Sequence, residues 1–111
     1  MEEYELLIND EVGRSPGFIY FIVSVDGYVK IGYSKDIHIR LGDLQVGNPH
    51  HLSLEYFEEG SRKDEQDYHN KFYSYRKRGE WFRHSGGLKN WLRHKRNKQQ
   101  QRFNEEELKY G

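Results

Sequence analysis

Tyr20, Lys30 and Arg40 stand ten residues apart, and Glu65 and His69 follow on a single helical turn. A phenol, an ammonium and a guanidinium are groups that hold a phosphate, and the planar fork of arginine matches its oxygens best. Tyr20 lies in the apolar run Phe18 to Val23, and Lys30 lies in Tyr28 to Tyr33. A buried hairpin has no need of a hydroxyl or an ammonium, so two strands presenting both beside an arginine-bearing helix suggest a phosphate site. Glu65, His69 and Phe72 fall at i, i+4 and i+7, which puts a carboxylate and an imidazole on the helix face that meets the core. Taken singly, each residue also has an ordinary reading: packing for Tyr20, an exposed edge for Lys30, a helix surface for Arg40 and a helix N-terminus for Glu65.

The positioning elements can be read from period and turn chemistry. Asp26-Gly27 between two alternating runs predicts a hairpin closed by a two-residue type I′ turn. Phe18, Tyr20 and Ile22 then share one face, and Ile19, Phe21 and Val23 the other. Ser34 or Asp36 can cap a helix. Ile37, Leu41 and Leu44 form its apolar stripe, with Arg40 at the stripe's edge, and Gly47-Asn48-Pro49 ends it. His51 to Phe57 reads as a third strand with Leu52, Leu54 and Tyr56 on one face, and Ser61 opens the helix that carries Glu65. Arg78-Gly79 reads as a turn, Trp81 and Phe82 as an aromatic anchor, and Leu88, Trp91 and Leu92 as the start of a last helix. Residues 1–15 read as a lead-in, 16–92 as the domain and 93–111 as a basic, then acidic tail, polar enough to be mobile or ordered by a partner. The expected fold is α/β (α+β): a small, mostly antiparallel three-stranded sheet flanked by helices.

With Phe18-Ile19-Tyr20, Lys30-Ile31-Gly32, Arg40 and Glu65 in this order, the chain resembles the GIY-YIG endonuclease superfamily. It is most similar to the small branch known from phage open reading frames, which reads Lys-Ile-Gly at the second motif. Glu65-x-x-x-His69 and Gly79-Glu80-Trp81-Phe82 carry the same resemblance. It implies a metal-dependent endonuclease that hydrolyses DNA phosphodiesters, with RNA also open. The implied catalytic set is Tyr20, Lys30, Arg40, Glu65 and His69. Glu65 is the implied ligand of one Mg²⁺ (or Mn²⁺), Arg40 the clamp on the phosphate, and Tyr20 the group that orients or deprotonates the attacking water. As a base at pH 7, Tyr20 would need its pKa lowered by about three units. Phe18 stands where the superfamily has glycine, and Lys30 where it has tyrosine, which leaves Tyr28 and Tyr33 flanking that position. The alternative on the same fold is an inactive nucleic-acid-binding or protein-interaction module.

At 111 residues with 34% hydrophobic and 15% aromatic content, the chain has one modest core, closed by large rings. It has no cysteine, which excludes disulfides, thiolate metal sites and thiol nucleophiles. The longest apolar run is far short of the roughly 20 residues of a membrane span, and no signal-peptide pattern opens the chain, so a soluble cytoplasmic protein is expected. Net charge is zero, yet residues 76–102 hold ten Lys/Arg and a single acid, Glu80. That block suits a polyanion. Arg76, Lys77, Arg78, Arg83, Lys89, Arg93, Lys95 and Arg96 are its candidate nucleic-acid contacts. Sequence specificity would come from residues 83–102, a homodimer or a partner protein.

Overall fold

Alternating apolar residues pair β1 (Phe18–Ser24) with β2 (Tyr28–Ser34) in the expected antiparallel hairpin, Tyr20 opposite Gly32 and Ile22 opposite Lys30. The computed structural model describes residues 17–110. The lead-in expected over residues 1–15 lies outside the described residues. The hairpin loop differs from expectation. Val25, Asp26 and Gly27 all lie between the paired ends Ser24 and Tyr28, Gly27 takes φ 99°, and its N–H donates to the Ser24 carbonyl at 3.0 Å. No described residue other than glycine has a positive φ, so Asp26 is spared the left-handed conformation that a type I′ turn would impose. A three-residue loop ending in a left-handed glycine matches the strand twist as well.

Downstream come α1 (Ile37–Val46), β3 (Leu52–Glu59), α2 (Arg62–Lys71), a short 3₁₀ turn (Tyr73–Tyr75), β4 (Arg76–Arg78), β5 (Trp81–Arg83) and α3 (Gly86–Tyr110). The sheet has five strands, not three, in the order β3-β1-β2-β5-β4, with every neighbouring pair antiparallel. The two added strands form a hairpin of three-residue strands turning at Gly79, φ 56°. β5 then docks on β2 through Tyr28–Arg83, Val29–Phe82 and Lys30–Trp81.

Each face of the sheet carries its own cluster. Ile19, Phe21, Val29, Ile31 and Phe82 pack under α2 and α3, with Phe72, Leu88 and Leu92. Tyr20, Ile22 and Leu52 pack under α1, through Ile37, Leu41 and Leu44. The α1 stripe is as expected. Asp36 caps this helix, accepting from Ile39 N–H at 3.0 Å, while Ser34 Oγ accepts from Asp36 N–H. Such a cap contributes about 1 kcal/mol. Ser61 and Asp64 form a reciprocal capping box that fixes where α2 starts, and hence where Glu65 sits.

The shared face expected for Leu52, Leu54 and Tyr56 is broken by a β-bulge. Phe21 pairs with Tyr56 but Ile22 pairs with Leu54, so Glu55 is the extra residue. Tyr56 therefore joins the α2/α3 cluster, while Leu52 and Leu54 stay with α1. The polar stretch after residue 92 is helical and continuous with α3. Gln99 grips the backbone of Phe57, its amide donating to the carbonyl at 2.7 Å, Arg96 pairs with Glu55 at 3.2 Å, and Phe103 stacks on Phe57. Among the described residues no helix is long and apolar enough to cross a membrane.

Candidate catalytic site at the open edge of β2

β5 ends its pairing at Trp81, opposite Lys30, so β2 continues past it with an open edge. Side chains from both sheet faces converge on that edge. Ile31 N–H donates to the Glu80 carbonyl at 3.0 Å, and Ile31 carbonyl accepts from His69 Nε2 at 2.8 Å. The first bond brings in the turn between β4 and β5, and the second brings in α2. His69 is thus held with its Nε2–H on a backbone carbonyl and its ring against Phe82.

Tyr20 approaches from the α1 side. Its phenol end lies directly over Gly32, where a Cβ would collide with the hydroxyl and the ring. Only glycine at that position lets the ring cross β2 toward the edge. The residue is 1% exposed, yet its hydroxyl makes no hydrogen bond to any described residue. Burial, and then the charge of Glu80, push its pKa up to about 12, against the pull of Arg40. That upward push from burial runs against the lowering that a base at neutral pH would need, and it favours the protonated hydroxyl. Arg40 itself is exposed on α1, at the rim, with no ion pair among the described residues. Tyr33, one residue beyond Gly32, turns to the other face, against Gly17 and beneath the Arg62 guanidinium.

Glu65 is buried, and its Oε2 is the one sealed side-chain oxygen without a partner among the described residues. Its neighbour is Glu80, whose Oε1 also takes Lys30 Nζ at 3.2 Å. Burial, and then Glu80, raise the Glu65 pKa to about 7. Burial also acts upward on Glu80, but the Glu65 proton, Lys30 and His69 together hold its pKa low. Burial thus favours the protonated form of Glu65, while Lys30 beside Glu80 favours the carboxylate there. Two close carboxylates, one with an orphaned oxygen, could hold a hard divalent cation that keeps several waters. Among the described residues no three His, Asp or Glu side chains are placed to hold one metal ion together, so an all-protein cage of the zinc kind is not built there.

Tyr20, Lys30, Glu65 and His69 are therefore brought together, with Arg40 at the rim. Glu80 is the addition: it stands in the Gly79-Glu80-Trp81-Phe82 stretch and is the lone acid in a strongly basic block, a signal present in the sequence. The cations of the block are spread over β4, β5 and α3. Arg76, Arg83 and Arg93 are held by the Gly79 carbonyl, the Ser74 carbonyl and Asn90, and Arg96 by Glu55. Lys95 lies over the Trp91 ring, and Lys89 is exposed on the same helix. Lys77 and Arg78 on β4 are exposed with side chains unpaired among the described residues.

The carboxyl pair predicts a pH dependence in chelated protein. A folded pKa near 7 against 4.5 unfolded means that the folded state keeps a proton the unfolded chain has lost between those values. Stability from this pair is then full below about pH 4.5 and falls as pH rises through 7. In EDTA, the melting temperature of the wild type should drop relative to Glu65→Gln between pH 5 and 7.5. Parallel curves for the two proteins would refute the raised Glu65 pKa.

The chain matches the T5orf172 domain over residues 17–106. No curated protein and no solved structure matches it. That domain is phage-associated and related to the GIY-YIG nucleases. The match takes in both strands of the hairpin, the open edge of β2 and most of α3, and by it the chain belongs to the T5orf172 domain family.

Proposed function

We propose that this domain is a divalent-metal-dependent endonuclease that hydrolyses phosphodiester bonds of DNA. The observation that carries the reading is the unpartnered Glu65 Oε2 beside Glu80, at the edge where the Tyr20 phenol crosses Gly32. Glu65 and Glu80 would hold one Mg²⁺ or Mn²⁺. Such an ion supplies positive charge to a phosphoryl oxygen and lowers the pKa of bound water.

The chain's own groups do the rest. Arg40, exposed at the rim, is free to clamp a nonbridging oxygen, where its charge counts most as the phosphate becomes trigonal bipyramidal. Tyr20, protonated at neutral pH, holds the attacking water or a phosphate oxygen by hydrogen bond. Lys30 neutralises part of the Glu80 charge and adds a cation beside the position a phosphate would take. His69 acts by position: its bond to Ile31 fixes α2, and so Glu65, against β2. Water oxygen attacks phosphorus and loses a proton to solvent, the opposite P–O bond breaks, and the departing oxygen takes a proton back from solvent.

A single site cuts one strand at a time, so nicked circles should precede linear product. Purified protein with supercoiled DNA, single-stranded DNA and RNA, each in Mg²⁺, Mn²⁺ or EDTA, tests this. Nicking of DNA that EDTA stops supports the reading. DNA retained but never cut with any divalent ion replaces it with a binding module.

A further inference from the structure

A groove of 260 Å³ opens on the α1 side of the sheet, lined by Asp26, Tyr28, Asn48, Lys77, Arg78 and Trp81 among others. It adjoins the candidate site. Trp81 pairs with Lys30 across β2 and β5, and Lys30 Nζ lies 5.4 Å from the Trp81 ring centre and 3.2 Å from Glu80. Tyr28 lies two residues before Lys30 on the same face.

Phe21, Tyr56, Tyr68, Phe72 and Trp91 form a ring–ring network on the other face of the sheet, and Tyr28 and Trp81 stand outside it. Both are half-buried, and neither hydroxyl nor indole N–H is hydrogen-bonded to a described residue. Trp81 packs against the α1-side cluster yet stays half open where the unpaired Lys77 and Arg78 line the same groove, a surface suited to a flat ligand with anionic groups beside it. Lys77 and Arg78 supply the cations, while Asp26 is occupied by Ser24 and by His50 at 3.6 Å.

We infer that this groove seats one unstacked nucleobase of a single-stranded or frayed nucleotide, with the adjoining phosphates on Lys77 and Arg78. The placement beside the cleaved phosphate rests on the nuclease reading; the binding does not. Base pairing and stacking bury a base in intact duplex, so the groove selects single strands, flaps and frayed ends over closed duplex. Stacking on an aromatic ring tolerates any base, which makes the preference one of structure more than of sequence.

The test uses wild-type protein in EDTA, where nothing is cut, and reads tryptophan fluorescence against an eight-nucleotide oligothymidylate and a closed hairpin duplex. The oligothymidylate should quench part of the emission and the hairpin should not. Trp81→Leu should lose that quenching and weaken binding about 5- to 150-fold, the range of one lost base–aromatic stack. Lys77→Ala with Arg78→Ala should flatten the log–log salt slope by about 1.4, from two single-strand phosphate contacts. Tyr28→Leu, checked for folding by circular dichroism, should weaken binding in the same direction. Unaltered binding by Trp81→Leu, or equal quenching by duplex, overturns the inference even if the wild type cuts DNA. Quenching lost in Trp81→Leu, from a protein that cuts nothing, sinks the nuclease reading and leaves the groove.

Discussion

Glu65→Gln protein should bind DNA as the wild type does and leave it uncut in Mg²⁺, with the cleavage rate lower by on the order of 10³-fold. Glutamine keeps the shape of a side chain that is 8% exposed on α2, so the packing around Phe72 and His69 has no reason to move. What it removes is the ability of an oxygen that the fold leaves without a partner to become a carboxylate and hold a cation. A second readout separates metal loss from a damaged active site. Mg²⁺ at about 100 times its Kd should stabilise the wild type by about 2.7 kcal/mol, and Glu65→Gln should lose that protection. Glu80→Gln should weaken Mg²⁺ about 10- to 100-fold, the cost typical of losing a supporting partner of a metal. It should also move the Glu65 titration to lower pH, because the negative charge that helps hold the proton on Glu65 is gone. Wild-type cleavage by Glu65→Gln in Mg²⁺ would show that the carboxyl pair is not the metal site.

The parts of this site that could be read from sequence are those whose signal is local. The alternation of Phe18 to Val23 assigned Tyr20 to the face of Phe18 and Ile22, where the sheet has it. Ile37, Leu41 and Leu44 named the inner side of α1, and the i, i+4, i+7 set of Glu65, His69 and Phe72 named the inner side of α2. What could not be read depends on neighbours distant in sequence. Leu52, Leu54 and Tyr56 alternate whether or not Glu55 is bulged, so only pairing with β1 shows that Tyr56 crosses to the other face. Arg76–Arg78 and Trp81–Arg83 are too short to carry a period, and they are strands because β2 offers an edge to pair with. Glu80 was visible as a lone acid among cations, but its meaning comes from lying against Glu65 and Lys30, from a helix and a strand far away in sequence. The direction of the Tyr20 shift follows from burial under α1, and residue type alone carries no such information.

Tyr20→Phe should cost about 10²- to 10³-fold in cleavage rate, as losing one preorganised hydrogen-bonding group does, and leave the melting temperature unchanged. The hydroxyl holds no described residue, so its loss removes no structural bond, while the ring that packs with Ile22, Ile37 and Leu52 remains. Gly32→Ala approaches the same group from the other strand. Its methyl would occupy the space of the phenol end, so either the ring swings away from the β2 edge or the strand shifts. Overpacking of this kind costs about 1–3 kcal/mol, and cleavage should fall at least as far as in Tyr20→Phe although alanine removes no chemical group. The two effects must be coupled if the geometry is right. In a Tyr20→Leu background, with no ring over position 32, adding Gly32→Ala should cost much less stability than it does in the wild type. Residues in contact show interaction energies of about 0.5–3 kcal/mol in such cycles, and independent ones add. Additive losses would mean that Gly32 matters for the strand alone, and a Tyr20→Phe protein that cuts at the wild-type rate would reduce the tyrosine to packing.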